Sequence, residues 1–392
     1  MSIAYNIIIS SYLLLIKLHS VFNLKSRQWV EGRKNIFTKI KNEIKNDKNI
    51  VWFHCASLGE YEQAKELIFQ FKKRNKLKKI LLTFFSPSGY RNVNKEVFVD
   101  WIFYLPLDTK KNAERFIELI KPEMAFFIKS EFWFNYMIAL DKKKIPLYHI
   151  SSIFNKNQLI LKFKFFQKCL KKSKHFFVQD LVSLTKLKEL KIHQTSIVGD
   201  TRVDTIISEI EKNDLEIIRP KRKTLIFGSV WPEDEHIFIK FIKNKSNKFN
   251  YLIAPHDLKY ADRLIKKTNG VLFSQIINND ISKEKIIIID NIGILKNLYK
   301  YCDCAYIGGG FGKGIHNVLE PVAYNLPIIF GTKYKKFKEA EDLISLGFAS
   351  SIKNHYEFEE ALKNIINQLS ERKISKYLKD NSGAVKKILD IV

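Results

Sequence analysis

Asn49-Ile-Val-Trp-Phe-His-Cys-Ala-Ser-Leu-Gly-Glu60 opens with a short apolar run, passes through small residues and stops at a carboxylate. The apolar positions that follow, Ala64, Leu67, Ile68 and Phe71, recur at helical spacing, so the segment reads as strand, loop, helix. The same grammar returns at Lys79-Ile-Leu-Leu-Thr-Phe-Phe before Ser86-Pro-Ser-Gly89, and at Ala125-Phe-Phe-Ile before Lys129-Ser-Glu131. It returns again at Leu147-Tyr-His-Ile before Ser151 and at Phe176-Phe-Val before Gln179. Strands alternating with helices predict a parallel sheet covered on both faces.

The charged stretch from Ser208 to Lys223, with Pro220, reads as a linker. Beyond it the pattern restarts: Thr224-Leu-Ile-Phe leads to Gly228-Ser229, Tyr251-Leu-Ile-Ala to Pro255-His256, and Lys285-Ile-Ile-Ile-Ile to Asp290. Cys304-Ala-Tyr-Ile then leads to Gly308-Gly-Gly310, and Pro327-Ile-Ile-Phe to Gly331. Two doubly wound α/β lobes are expected, 25–207 and 208–392, with the last helix a candidate to cross back to the first lobe. In such sheets ligands sit beyond the carboxyl ends of the strands, which places the chemistry in these loops.

Composition narrows the class. A chain of 392 residues that is 46% hydrophobic has enough apolar content for two cores and excludes disorder as its main description. The net charge is 67 − 41 = +26, carried by 57 Lys and only 10 Arg spread over the whole length. Arg scarcity argues against a nucleic-acid reader, whereas an anionic membrane or substrate fits. Cys55, Cys169, Cys302 and Cys304 lack metal-type spacing and read as reduced thiols.

Residues 3–22 are apolar, interrupted by Lys17 and His19, without the basic start or cleavage site of a secretory signal. They are marginal for spanning a bilayer and sufficient for a shallow anchor, so residues 1–24 are expected to hold the chain to a membrane. Lys25, Arg27, Arg33 and Lys34 follow, which keeps the remainder on the cytoplasmic side.

Among the loops, Gly308-Gly-Gly-Phe-Gly-Lys-Gly314 feeds the start of a helix, an arrangement suited to binding an anion. It lacks the Gly-Lys-Ser/Thr of a nucleotide-hydrolysing loop and the spacing of the dinucleotide fingerprint. Phosphate-loop candidates are Gly228, Ser229, Gly309 and Gly310, and Glu320 is placed to meet a ribose diol. In the first half, Glu60 sits where a general base for a sugar hydroxyl would stand, and Glu131 is a second carboxylate at a strand end. His256 lies in the second lobe's crevice.

The order and spacing of further motifs carry a resemblance. Trp29-Val-Glu-Gly-Arg-Lys34, His54-Cys-Ala-Ser-Leu-Gly-Glu60, Ser86-Pro-Ser-Gly89, Tyr104-Leu-Pro-Leu-Asp108, Lys121-Pro-Glu and Ser130-Glu-Phe-Trp133 are followed by Val198-Gly-Asp200 and Asp204. Pro255-His256, Asn291-Ile-Gly293, Gly308-Gly309 and His316-Asn-Val-Leu-Glu-Pro321 complete the set. Over essentially its whole length the chain resembles the bacterial 3-deoxy-D-manno-octulosonic acid (Kdo) transferases, which attach Kdo to the lipid A precursor.

The resemblance implies a GT-B glycosyltransferase: two Rossmann-like lobes about a cleft, the first taking the lipid acceptor and the second CMP-Kdo. It implies Glu60 as general base, Glu131 as a supporting carboxylate, and CMP contacts at Pro255, His256, Ile292, Gly293, Ile294, Asn317, Val318, Leu319 and Glu320. It implies an inverting transfer that releases CMP, with no cofactor and no metal, at the cytoplasmic face of the inner membrane. Three departures stand out: Ala254-Pro255-His256 where the family often has Pro-Arg-His, Gly293-Ile294 where it often has Gly-Glu, and Gly228-Ser-Val-Trp-Pro-Glu233-Asp-Glu235 in place of a Gly-Ser-x-His-x-Gly-Glu loop. A UDP-sugar donor is the nearest alternative; a nucleic-acid-binding role rests on charge alone. With a phosphorylated lipid as acceptor, the relevant part of the +26 is expected on the first lobe, in Lys17, Lys25, Arg27, Arg33, Lys34 and the lysines from Lys162 to Lys174.

Overall fold

The computed structural model describes every residue except Met1, Asn46, Asn94, Lys95, Lys156, Asn157, Asp214, Ser246, Asn247, Leu369 and Ser370. Its first sheet contains β1 (Ile50–Cys55), β2 (Lys79–Phe84), β3 (Trp101–Tyr104), β4 (Met124–Ile128), β5 (Leu147–Ser152), β6 (His175–Val178) and β7 (Thr195–Ile197), in the order β3-β2-β1-β4-β5-β6-β7. Its second contains β8 (Thr224–Val230), β9 (Asn250–Pro255), β10 (Val271–Leu272), β11 (Ile286–Ile288), β12 (Cys304–Ile307), β13 (Ile328–Gly331) and β14 (Ala349–Ile352), in the order β10-β11-β9-β8-β12-β13-β14. All pairings between these strands are parallel. Two parallel α/β lobes are therefore present, as the alternating pattern predicts.

Helices cover both faces of each sheet, so the inner strands are apolar at nearly every position; β1 and β9 are buried throughout. The direction of strand addition reverses between β1 and β4 in the first sheet and between β8 and β12 in the second. A crevice opens at such a reversal, because the flanking crossovers leave on opposite faces.

The chain divides into Met1–Thr205 with Asn381–Val392, and Ile206–Asp380. The stretch expected as a linker from Ser208 begins inside a helix, Thr201–Glu211. The returning C-terminal residues Ala384, Val385 and Ile388 pack with Val51 and Phe53. Asp204 fastens them by accepting from the N–H groups of Gly383 (2.7 Å) and Val385 (3.2 Å).

The N-terminal apolar segment forms the helix Ser2–His19, and no helix among the described residues is long and apolar enough to cross a membrane. One side of this helix is docked on the first lobe. Tyr5 donates to the buried Asp108 (2.6 Å), Asn6 accepts from Asn135 (3.1 Å), and Tyr12 packs against Trp29 and Phe85. Ile7, Ile8, Leu14, Leu15 and Leu18 remain exposed.

Arg33 departs from its expected place in a membrane-facing basic patch. Its guanidinium lies 3.8 Å from the Trp29 ring centroid and donates to the carbonyls of Leu105, Trp29 and Phe85. Burial lowers its pKa to about 9. The rigid five-donor fork of Arg joins the helix Leu24–Gly32 to the ends of β2 and β3, a task unrelated to headgroups.

Close backbone approach fixes one glycine of the second lobe. A Cβ on Gly308, just after β12, would stand 2.3 Å from the Ser229 carbonyl oxygen, whereas one on Gly312 would meet nothing nearer than 3.7 Å. Gly308→Ala should therefore lower the unfolding free energy by more than about 2 kcal/mol in denaturant titration, and Gly312→Ala should change it by less than about 1 kcal/mol. Equal effects would contradict this packing.

Candidate functional site

At the first reversal point the chain leaves β1 through Ala56 and Ser57 into the helix Leu58–Arg74. Glu60 lies in the first turn of that helix, where the aligned peptide dipoles favour negative charge. Its carboxylate accepts from the Ser57 hydroxyl, and Lys129 Nζ stands 3.6 Å from Oε1. Lys129 immediately follows β4 in a left-handed conformation (φ +66°). Glu60 keeps 14% of its side-chain surface open and Lys129 45%, so both remain reachable. The result is an oriented carboxylate with an exposed cation beside it.

Beneath this pair runs a buried relay. Trp133 Nε1 donates to His54 Nε2 (3.0 Å), His54 Nδ1 meets Thr83 Oγ1 (2.9 Å), and Trp52 Nε1 also donates to Thr83 Oγ1 (2.8 Å). Because Nε2 is an acceptor here, the imidazole satisfies the relay with its proton on Nδ1. Glu131 Oε2 lies 3.7 Å from His54 Nε2, beyond hydrogen-bond length. Glu131 instead lines a cavity of about 550 Å³ with Tyr5, Ala56, Phe85, Ser130 and Trp133. That cavity belongs wholly to the first lobe, and the N-terminal helix supplies part of its wall.

In the second lobe, β8 carries a bulge at Gly228-Ser229, with Ser229 at φ +53° and the pairing to β9 shifted between Phe227 and Val230. The Gly228 carbonyl accepts from Gly308 N–H (2.9 Å), and a Cβ on Gly228 would meet the Tyr299 hydroxyl. Gly310 is pressed against the backbone of Gly331. The Gly309 amide donates to Asp234 Oδ2 (3.0 Å), as does Trp231 N–H (2.8 Å), while Asp234 Oδ1 accepts from the Tyr306 hydroxyl (2.8 Å). Asp234 is fully buried, which raises its pKa. The glycine loop thus folds around a carboxylate of the protein itself, a partner that an inspection of glycine spacing does not reveal.

His256, next after the end of β9, is exposed, whereas Pro255 is buried. Trp231 and His316 lie nearly in one plane (7°), joined by Trp231 Nε1 donating to His316 Nε2 (2.8 Å). His256 stacks over both, with centroids at 4.3 and 4.5 Å. Lys313 Nζ stands 5.9 Å from the Trp231 ring. Sequence reasoning singled out His256 and passed over Trp231 as a family departure; only the fold brings the three rings together.

The remaining donor-site candidates fall into two groups. Ile292 (89% exposed), Gly293 (φ +88°) and Ile294 form a projecting loop after β11. Asn317 donates to Glu320 Oε1 (2.9 Å) and accepts from Leu319 N–H (3.1 Å). Val318 and Leu319 turn their side chains into the core, leaving backbone as what they can offer a ligand.

Burial and the neighbouring His256 lower the His316 pKa to about 4. Below pH 6.5 the unfolded chain then binds a proton that the folded chain refuses, so this residue's contribution to stability is lost as pH falls from 6.5 to about 4. The difference in unfolding free energy between wild type and His316→Asn should shrink by up to about 3 kcal/mol across that window. A pH-independent difference would place the imidazole in a more polar setting.

Residues 31–205 match the family described as 3-Deoxy-D-manno-octulosonic-acid transferase (kdotransferase). A 3-deoxy-D-manno-octulosonic acid transferase of Aquifex aeolicus is 27% identical over 354 residues, covering 88% of this chain and 93% of that protein. A bifunctional glycosyltransferase/methyltransferase of Fusobacterium nucleatum is 27% identical over 361 residues; the match covers 86% of this chain and only 56% of that protein. Among solved structures, a UDP-GlcNAc 2-epimerase from Neisseria meningitidis shares the fold, with a TM-score of 0.59 at 14% identity over 87% of this chain and 98% of that one. With the family match spanning β1 to β7 and curated relatives aligned through both lobes, the chain is similar over most of its length to bacterial 3-deoxy-D-manno-octulosonic acid transferases.

Proposed function

We propose that this chain transfers Kdo from CMP-Kdo to a lipid A precursor and releases CMP. The observation that carries the reading is Glu60, a carboxylate at a helix start on the reversal point of the first sheet, oriented by Ser57 and flanked by Lys129. Glu60 takes the proton of a glucosamine hydroxyl as that oxygen attacks the anomeric carbon of Kdo. The bond from that carbon to the phosphate oxygen breaks, and CMP leaves with the electron pair. One direct displacement inverts the anomeric configuration. The leaving group is already a phosphate monoester anion, which N–H donors and cationic side chains stabilise, so the reading invokes no metal. The relatives that are named 3-deoxy-D-manno-octulosonic acid transferases support the choice of sugar.

In this reading the acceptor's sugar meets the first lobe beside Glu131 and its cavity, and the nucleotide meets the loops after β8, β9, β11 and β12. The N-terminal helix holds the chain on an anionic membrane, at the cytoplasmic face of the inner membrane. Its docked side and its exposed apolar side favour lying along the surface, with Lys17, Lys25 and Arg27 beside the headgroups.

Mass spectrometry of lipid A precursor incubated with CMP-Kdo should show addition of Kdo, and Glu60→Gln should slow it about 10²- to 10⁴-fold. Near-normal turnover by that variant removes Glu60 from the base role, and turnover with UDP-sugars alone contradicts the donor. Separately, Leu14→Asp with Leu15→Asp should weaken cosedimentation with anionic phospholipid vesicles at least about tenfold. Unchanged sedimentation would place the contact elsewhere.

A further inference from the structure

The Trp231–His316 pair is built like a base pair: two flat rings, nearly coplanar, joined by one N–H···N hydrogen bond of 2.8 Å and covered on one side by His256. An indole N–H only donates. His316 Nε2 is therefore obliged to accept, and the imidazole's own proton goes to Nδ1. Among the described residues His316 Nδ1 has no hydrogen-bond partner, and it is absent from the side-chain atoms that are both buried and unsatisfied. A neutral N–H donor of fixed direction is thus left over at the mouth of the second lobe's loops, two residues after Gly314 and directly before Asn317.

We propose that Trp231 is a positioning residue that fixes His316 in its Nδ1–H tautomer, and that His316 offers this N–H to an anionic phosphate oxygen of the donor nucleotide. The ligand half of this statement rests on the proposed donor; the tautomer half does not. The titratable groups around His316 are His256, stacked on it from the loop after β9, and Lys313, whose ammonium stands over Trp231. The stacked His256 disfavours a second proton on His316, and no carboxylate pairs with it among the described residues. The lowered His316 pKa agrees with this setting. A neutral N–H at this point binds an anion without forming a fixed ion pair, which suits a group that must depart as CMP after each transfer.

Two readouts separate positioning from mere packing. In ¹⁵N-edited NMR of the full chain, His316 should show the Nδ1–H tautomer and a titration midpoint well below 6.5. Trp231→Phe, which keeps the ring and removes the donor, should mix the tautomers and raise the midpoint by at least about one unit. For binding, an Asn amide nitrogen overlays His Nδ1, whereas a Gln amide nitrogen overlays Nε2. His316→Asn should accordingly bind CMP and inorganic phosphate within about threefold of wild type, and His316→Gln should weaken both about tenfold. An Nε2–H tautomer in the wild type, a tautomer indifferent to Trp231→Phe, or equal affinities for the Asn and Gln variants would each overturn the proposal. If phosphate shows the Asn/Gln difference while CMP does not bind, the role of His316 stands and the nucleotide donor falls.

Discussion

Parallel strands can be joined only by crossovers, and the crossovers of a doubly wound sheet deliver every strand-to-helix loop of a lobe to one edge. Everything of chemical interest in this chain follows from that constraint. In the first lobe the reversal between β1 and β4 sets Glu60 beside Lys129 although 69 residues separate them, 129 − 60 = 69. In the second, the reversal between β8 and β12 sets Trp231 against His316, and the adjacent β9 brings His256 onto both. Residues scattered along the chain become neighbours because their strands are neighbours.

Loops at that edge must still be held in shape, and three carboxylates do so, Asp108 and Asp234 buried and Asp204 half-buried. Asp108 accepts from Tyr5, Asn135 N–H and Tyr136 N–H, fastening the N-terminal helix to the helix Phe134–Lys142. Asp204 accepts from Gly383 and Val385, fastening the returning C-terminus. Asp234 accepts from Trp231, Gly309 and Tyr306, shaping the glycine loop. Burial pushes all three upward in pKa, Asp108 to about 6. Each carboxylate spends its lone pairs on donors that would otherwise be stranded, which is how a site can be rigid without a large apolar core of its own.

The fold was legible wherever strands are buried on both faces. The continuous apolar runs of β1, β2, β4, β8 and β9 announce themselves. Of the four sheet edges, β7, β10 and β14 carry no such signal, whereas β3 carries a four-residue apolar run, Trp101–Tyr104, that sequence reasoning passed over. An edge strand is short and half exposed, so Thr195–Ile197 or Val271–Leu272 has no apolar run to read. Glu60 was legible because a carboxylate after a strand and small residues is a local pattern. Asp234, the Trp231–His316 pair and the His54–Thr83 relay were not, since each depends on side chains from different strands. Arg33 shows the opposite failure: a basic residue beside an apolar helix suggests a headgroup contact, and only the cage of Trp29, Phe85 and Tyr104 shows that it points inward.

The central claim is a single displacement at the anomeric carbon, with Glu60 as the base and no covalent sugar on the protein. The anomeric configuration of Kdo in the first product formed from CMP-Kdo, read by NMR of the isolated glycolipid, tests it most directly. Inversion relative to the donor is the predicted result; retention would require two displacements and a protein nucleophile, and would contradict the account.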